Sequence, residues 1–356
     1  MQKPNRTTLY KDSYKTFISS PITIREKQVN NRLFLAPMAG LGNVAFREMV
    51  AEFGGFGLLF TGMCSAKAVP QENRNISTVF KWRDEELHYL VCQIFGSEPK
   101  AMALAAKRIE KEGFFGVDLN FGCCAAAICK KGCGAALLKE PLLAREIVLA
   151  VREAISIPLF IKFRSGWDSN SIDAALQSEK MAIMFEEAGA DALVFHPRVA
   201  PDRRLRPPKW EHIRLIKDAV SIPVFGNGNI FEPADCEKML NLSGCDGISI
   251  GRMAVAKPWI FSTIANGFLP DANIYQNTAT RMITLLLKHY DERTAIKMFK
   301  KLIPYYSAGF KFGHSISKQL LKPDNSGEIY RVIDDIFTKI SQNIETIERP
   351  NLHLFL

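Results

Sequence analysis

The sequence predicts an α/β fold, a (β/α)8 TIM barrel followed by a small all-α helical domain. Three observations carry that expectation. Short apolar runs without polar alternation recur at 33–36, 57–61, 89–95, 117–120, 159–163, 192–195, 223–226 and 247–250, as parallel strands covered on both faces require. Helical patterns, with apolar residues three and four apart, lie between most of them at 102–112, 142–155, 178–188, 213–219 and 233–242. Beyond residue 271 the strands stop, and helical stretches follow at 278–290, 292–302, 315–321 and 329–344. Eight strand units within about 220 residues suit a closed barrel, with a doubly wound open sheet as the structural alternative.

Residues 1–30 read as an irregular lead-in in which Pro21-Ile22-Thr23-Ile24 makes a short strand; the barrel is expected over 31–265 and the helical domain over 271–356. Helix stop signals precede several strands: Gly113, Ile157-Pro158, Gly189, Ile222-Pro223 and Gly244. The gap from Gly62 to His88 is then an excursion after the second strand. A chain of 356 residues, 47% hydrophobic, has the material for one large domain and a smaller one.

The net charge of +9 and pI near 9.1 point to an anionic partner, such as nucleic acid or an anionic surface, and say nothing about fold. Eight cysteines are scattered through a large chain, which favours reduced thiols over a disulfide framework. The segment from Met1 to Lys15 is polar, without the apolar core of a signal peptide. No run approaches the roughly 18 apolar residues of a membrane span. The expectation is a cytoplasmic protein without membrane attachment or an obligate protein partner.

Strand ends of a barrel form one active face. Here that face carries Pro37-Met38, Gln93, Asn120 with Cys123, Lys162 with Arg164, His196 with Arg198, Asn227-Gly228 and Gly251-Arg252. The loops at 226–230 and 250–252 suit a phosphate, because glycine lets backbone N–H groups approach an anion and Arg252 adds a bidentate contact. Lys162 can stabilise negative charge on a flat electron-accepting ring, whose polar rim His196 and Gln93 can bond. Phosphate plus ring suggests flavin mononucleotide, FMN. The loop after Gly122 holds Cys123, Cys124, Cys129 and Cys133. A buried structural thiol is the ordinary fate of a cysteine, but a loop at a strand end favours exposure and reactivity. The spacing C-C-x4-C-x3-C lacks paired zinc knuckles, and no metal is expected. From Arg293 to Lys322 the tail carries Arg293, Lys297, Lys300, Lys301, Lys311, Lys318 and Lys322 and no acid, with Tyr305, Tyr306, Phe310 and Phe312 interleaved. That run is either a solvated face or a surface for a phosphate backbone.

With these residues in order, the chain resembles the tRNA-dihydrouridine synthases. Matching motifs are Leu35-Ala36-Pro37-Met38-Ala39-Gly40 with Phe46-Arg47, Gln93-Ile94-Phe95-Gly96, and Asp118-Leu119-Asn120-Phe121-Gly122-Cys123. Lys162-Phe163-Arg164 with Gly166-Trp167-Asp168, His196-Pro197-Arg198, Trp210, Asn227-Gly228, and Gly251-Arg252 with Pro258-Trp259-Ile260-Phe261 follow. The resemblance implies FMN-dependent reduction of the C5–C6 bond of a uridine in RNA, most naturally tRNA, with NADPH as reductant. It implies a flavin held by Ala36, Pro37, Met38, Gln93, Lys162, His196, Asn227, Gly228, Asn229, Gly251 and Arg252. Hydride would pass to C6 and a proton from Cys123 to C5, with Asn120 and Arg198 facing the uracil. Arg203, Arg204, Arg206, Lys297, Lys300 and Lys301 would grip RNA. Departures fall mainly on the substrate side: Cys124 stands where the family has Pro, Ala127 replaces a basic residue, and Val199, Asp202 and Arg204 replace Thr, Gln and Tyr. Asn229 replaces an acid on the flavin side. Two other readings stay open: an FMN oxidoreductase of a small molecule, and an RNA-binding protein on a degenerate barrel without turnover.

Overall fold

The computed structural model describes residues 13–167, 171–202, 206–340 and 345–352. Eight parallel strands close into a barrel: β3 (Leu33–Leu35), β4 (Leu58–Phe60), β6 (Leu90–Phe95), β7 (Gly116–Phe121), β8 (Leu159–Arg164), β9 (Ala192–His196), β10 (Val224–Asn227) and β11 (Gly247–Ile250). Closure is made by β11 on β3, with Ser249 beside Phe34, and by β4 on β6, with Leu59 beside Leu90. The open-sheet alternative is thereby excluded. A two-residue strand, β5 (Cys64–Ser65), adds to β6 inside the expected excursion.

Alternation along the strands sorts the side chains. Leu33, Leu35, Leu59, Cys92, Ile94, Val117, Leu119, Ile161, Phe163, Leu193 and Phe195 point into the layer shared with the surrounding helices. Phe34, Leu58, Phe60, Val91, Phe160, Ala192, Val194 and Phe225 form a separate cluster that fills the barrel itself. Phe34 stacks on Phe225 at 4.0 Å between ring centroids, and Phe60 meets Phe160 edge-on at 5.5 Å. Further toward the strand C-termini the inward residues become polar: Gln93, Asp118, Asn120, Lys162, Arg164, His196, Asn227 and Ser249. An aromatic floor under a polar layer makes the upper end a site and the lower end a core.

The lead-in is more ordered than expected. It holds α1 (Ser13–Ser19) and the antiparallel hairpin β1 (Ile22–Ile24) and β2 (Lys27–Val29), whose Ile24 and Val29 join the barrel-filling cluster. Those two side chains plug the end of the barrel opposite the polar layer.

The expected barrel helices appear as α3 (Pro99–Lys111), α5 (Pro141–Ala154), α6 (Ser171–Glu187), α7 (Glu211–Ala219) and α8 (Pro233–Ser243), with a single turn, α4 (Ala126–Cys129), in the cysteine loop. Sequence periodicity missed α2 (Val44–Phe53), α9 (Arg252–Ala256) and α10 (Ile260–Asn266). In α2 seven consecutive residues, Val44 to Val50, are buried, so no amphipathic stripe exists to detect. It is started by Asn43, whose side chain accepts from the Phe46 N–H at 3.0 Å.

The tail forms α11 (Ile274–His289), α12 (Glu292–Ser307), α13 (Gly313–Leu320) and α14 (Ser326–Ile340); residues 341–344 of the last expected helix lie outside the described residues. Helix α11 packs on α2 and α12 on α9, so tail residues such as Met282, Leu286 and Phe299 share one apolar cluster with the barrel's outer layer. The interleaved aromatics separate by burial. Tyr306 and Phe310 are core, while Phe312 is exposed.

Candidate active site

A cavity of about 520 Å³ opens at the C-terminal ends of the strands. Its walls include eleven of the residues expected there: Ala36, Pro37, Met38, Cys123, Lys162, His196, Asn227, Gly228, Asn229, Gly251 and Arg252. Gln93, Asn120 and Arg198 are buried and bonded to one another or to wall residues. Arg206 is exposed and within 3.6 Å of Asp202, and Lys297, Lys300 and Lys301 lie on α12. Arg203, Arg204 and the Asp168 of the Gly166-Trp167-Asp168 motif fall outside the described residues.

The cysteine loop is held from both sides. The Asn120 Oδ1 accepts from the backbone N–H of Gly122 at 3.1 Å and of Cys123 at 2.9 Å. The Cys123 carbonyl accepts from Ala135 N at 2.9 Å, and the Ala135 carbonyl accepts from the Trp167 indole at 2.6 Å. Gly134, with φ +64°, makes the close approach possible, since a Cβ there would lie 2.6 Å from the Cys123 carbonyl oxygen. Burial raises the Cys123 thiol above its ordinary range, so it is the protonated form that lines the cavity at neutral pH. Among the described residues no three His, Cys, Asp or Glu side chains converge on a metal position.

On the opposite strands Arg198 ties the wall together. Its guanidinium lies 3.0 Å from His196 Nε2, donates to Asn229 Oδ1 at 3.1 Å and to the Arg206 carbonyl at 2.5 Å. A guanidinium has no acceptor, so His196 Nε2 must accept and the ring proton sits on Nδ1. Burial, reinforced by Arg164, Lys162 and Arg198, holds the His196 pKa well below its usual value. The ring is neutral and offers one N–H. Asn229 occupies the left-handed region at φ +57°, which asparagine tolerates better than most residues. Gly228 has φ +120°, and a Cβ there would lie 3.2 Å from the His196 ring, so the backbone and the imidazole share a space too small for a side chain. Lys162 stays a cation with a pKa lowered to about 8, by burial first and then by repulsion from Arg164.

Several wall residues carry little or no sequence signal as site residues. Arg164, a twelfth residue expected on this face, lines the cavity too, but nothing in its motif gives it a role. Tyr305 of α12 and Leu352 near the C-terminus also line the cavity, and each lies more than fifty residues beyond the last barrel strand. Residues 345–352 return to the barrel by way of Ile347 N to the Gly309 carbonyl at 2.7 Å and Arg349 to Glu232 and Asp235 at 2.5 and 2.6 Å. The Leu352 carbonyl then accepts from Arg252 at 2.8 Å. Only folding brings such distant groups together.

These donors suit a planar, phosphate-bearing cofactor. They combine a half-buried cation, a neutral imidazole N–H, a side-chain-free approach at Gly228 and an arginine beside Gly251. Residues 34–338 match the family described as dihydrouridine synthase. The chain belongs to that family. Its curated relatives include tRNA-dihydrouridine synthase B of Pseudomonas aeruginosa, 33% identical over 81% of this chain and 87% of that protein. A probable tRNA-dihydrouridine synthase of Rickettsia conorii is 33% identical over 81% and 88%, and tRNA-dihydrouridine synthase B of Pseudomonas putida 30% over 92% and 97%. Among solved structures, the old yellow enzyme from Trypanosoma cruzi superposes with a TM-score of 0.54 at 11% identity, covering 77% of this chain and 98% of that one. A morphinone reductase variant in complex with tetrahydroNAD gives 0.52 at 11%, covering 72% and 93%. At such identities these structures speak for the fold alone. The family is one of flavin-dependent oxidoreductases, and this chain is an enzyme of that kind.

Proposed function

We propose that the protein reduces the C5–C6 bond of a uridine in RNA, in tRNA by the relatives' names, to give dihydrouridine, with FMN as bound cofactor and NADPH as reductant. The observation that carries this reading is one cavity lined by a protonated thiol, Cys123, and by Lys162, His196, Gly228 and Arg252. FMN would be held by Ala36, Pro37, Met38, Gln93, Lys162, His196, Asn227, Gly228, Asn229, Gly251 and Arg252. When bound, it supplies the hydride that reaches uracil C6. Cys123 gives its proton to C5 and regains one from water; a thiol above its ordinary range holds that proton until C5 becomes basic. Lys162 stabilises negative charge in the cavity, and His196 offers its Nδ1–H to an acceptor. Asn120 and Arg198 are assigned to the uracil side.

The base must leave its stack to enter a barrel mouth, so a surface that grips the RNA belongs beside it. Helix α12 supplies one. The Lys301 ammonium lies 3.6 Å from where a Gly40 Cβ would stand, at the turn after β3, and Tyr305 one turn later lines the cavity. Lys297 is exposed, whereas Lys300 pairs with Asp324 at 2.9 Å, a carboxylate just beyond the acid-free run. Residues 271–356, with Arg203, Arg204 and Arg206, form the RNA-binding part in this reading, and the protein works in the cytoplasm.

Changing Lys297, Lys300 and Lys301 together to glutamine is expected to weaken RNA binding and to flatten its dependence on salt by up to about three counterions. Filter binding across a salt series reads this directly, and an unchanged slope removes α12 from the interface. The function itself is tested by nucleoside analysis of RNA from cells lacking the gene. Loss of dihydrouridine at specific positions is expected; full retention at every position rejects the proposal.

A further inference from the structure

We propose that Asp118 is a positioning residue of this active site, anchoring the Gln93–Asn120–Cys123 hydrogen-bond chain and serving as the counter-ion of Lys162. The second half of this inference rests on the flavin reading above. Asp118 lies on β7, pointing into the barrel two residues before Asn120, fully buried, in register with Gln93 on one side and Phe160 on the other. It sits at the boundary between the aromatic floor and the polar layer. A carboxylate there has lost its water, which is costly unless its neighbours replace that water.

The neighbours define a direction. Backbone N–H groups of Gly122 and Cys123 can only donate, so Asn120 must turn Oδ1 toward them. Its Nδ2 then donates to Gln93 Oε1 at 2.8 Å, which leaves the Gln93 Nε2 to donate to Asp118 Oδ2 at 2.7 Å. Two amides that could each bond in either orientation are thus fixed from both ends. At one end stand donors without lone pairs; at the other stands a carboxylate oxygen. The thiol-bearing loop is aligned by a group three bonds away that does not line the cavity.

The second oxygen, Oδ1, is buried and takes no part in this chain of bonds. Burial raises Asp118 to about 7; the Gln93 hydrogen bond and then Lys162, which also points into the barrel on the adjoining strand β8 in register with Asn120, favour its charge. The elements packed around it bring few other ionisable groups: Gln93 and Phe160 are neutral, and Cys123 lies beyond Asn120. Lys162 is in turn pushed down by burial and Arg164 and held up first by Asp118. Removing the carboxylate therefore lets Lys162 lose its proton at lower pH.

Two variants separate the two roles. Asp118→Asn keeps an acceptor oxygen for Gln93 and loses only the charge. Asp118→Leu loses both. FMN affinity of the apo-protein, followed by flavin fluorescence from pH 6 to 10, is expected to fall as Lys162 deprotonates. In Asp118→Asn that fall should occur at lower pH than in the wild type, with affinity at pH 6 preserved. An identical midpoint overturns the counter-ion role. In the same apo-proteins, peptide mapping after iodoacetamide reads Cys123 directly. Asp118→Leu should change its alkylation rate severalfold while Asp118→Asn leaves it near wild type; equal rates in all three overturn the anchoring role. A melting curve shows that each variant is folded. A wild-type apo-protein that binds no FMN at any pH rejects the flavin reading and the counter-ion role with it, while the alkylation arm still decides the anchor.

Discussion

Replacing Cys123 by alanine is expected to lower turnover on RNA by about 10²- to 10⁴-fold, the usual worth of a positioned general acid, while leaving flavin reduction by NADPH intact. The substitution removes the proposed proton donor and keeps its main support, because the hydrogen bonds with Asn120 and Ala135 that fix the loop go to the backbone of residue 123. A single-turnover experiment with pre-reduced enzyme separates the two half-reactions. Survival of turnover within tenfold of wild type would place the proton donor elsewhere. Cys124, on the same cavity wall, is then the first alternative, and Cys124→Ala tests it. The raised thiol pKa also fixes the sign of the pH dependence. Turnover should hold through neutral pH and fall on the alkaline side as the thiol loses the proton it must deliver.

Arg47→Leu is the largest stability effect expected, a loss of about 3–5 kcal/mol, because breaking a buried pair strips Glu86 of its main partner and leaves it the longer contact to Arg83 at 3.4 Å. Arg47 and Glu86 are fully buried and paired at 2.6 Å. The same guanidinium donates to the Gly42 and Lys81 carbonyls at 2.7 Å each. Arg47 therefore ties α2 to the turn after β3 and to the long excursion between β4 and β6. Equilibrium urea unfolding measures the loss. The double variant Arg47→Leu with Glu86→Leu should recover part of it, since no buried carboxylate is then left without its main partner. A loss of less than about 1 kcal/mol in the single variant is too small for that, and would mean that Arg83 or water satisfies Glu86 by itself.

Arg47 also shows what a motif can conceal. In the sequence it stands inside a family pattern as Phe46-Arg47, and nothing there says whether it serves the cofactor or the fold. Its burial and partners give it to the fold. Lys300 makes the opposite point, since it counts among unopposed cations in the sequence and meets Asp324 only in the folded chain. Asp118 stands within a motif that gives it no role, because a hydrogen-bond chain that crosses to a second strand and back leaves no spacing to recognise.

The barrel itself was legible because its physics is local. A strand buried on both faces must be a short apolar run, helices that cover it must repeat at three and four residues, and glycine or proline must end them. The strand-end residues were legible for the same reason, since position on the strand fixes which end of a parallel barrel a side chain occupies. Sequence alone thus pointed to the α/β barrel, the helical tail and twelve of the residues that line the cavity, while closure over the open-sheet alternative came from the pairing of β11 with β3 and β4 with β6. Tertiary structure alone decided that Tyr305 and Leu352 join that wall, that burial keeps His196 neutral while Arg198 fixes its tautomer, and that Asp118 sets the direction of the bonds ending at Cys123. Each of these depends on contacts between residues on different elements, with distances and charges that exist only once the chain has closed on itself.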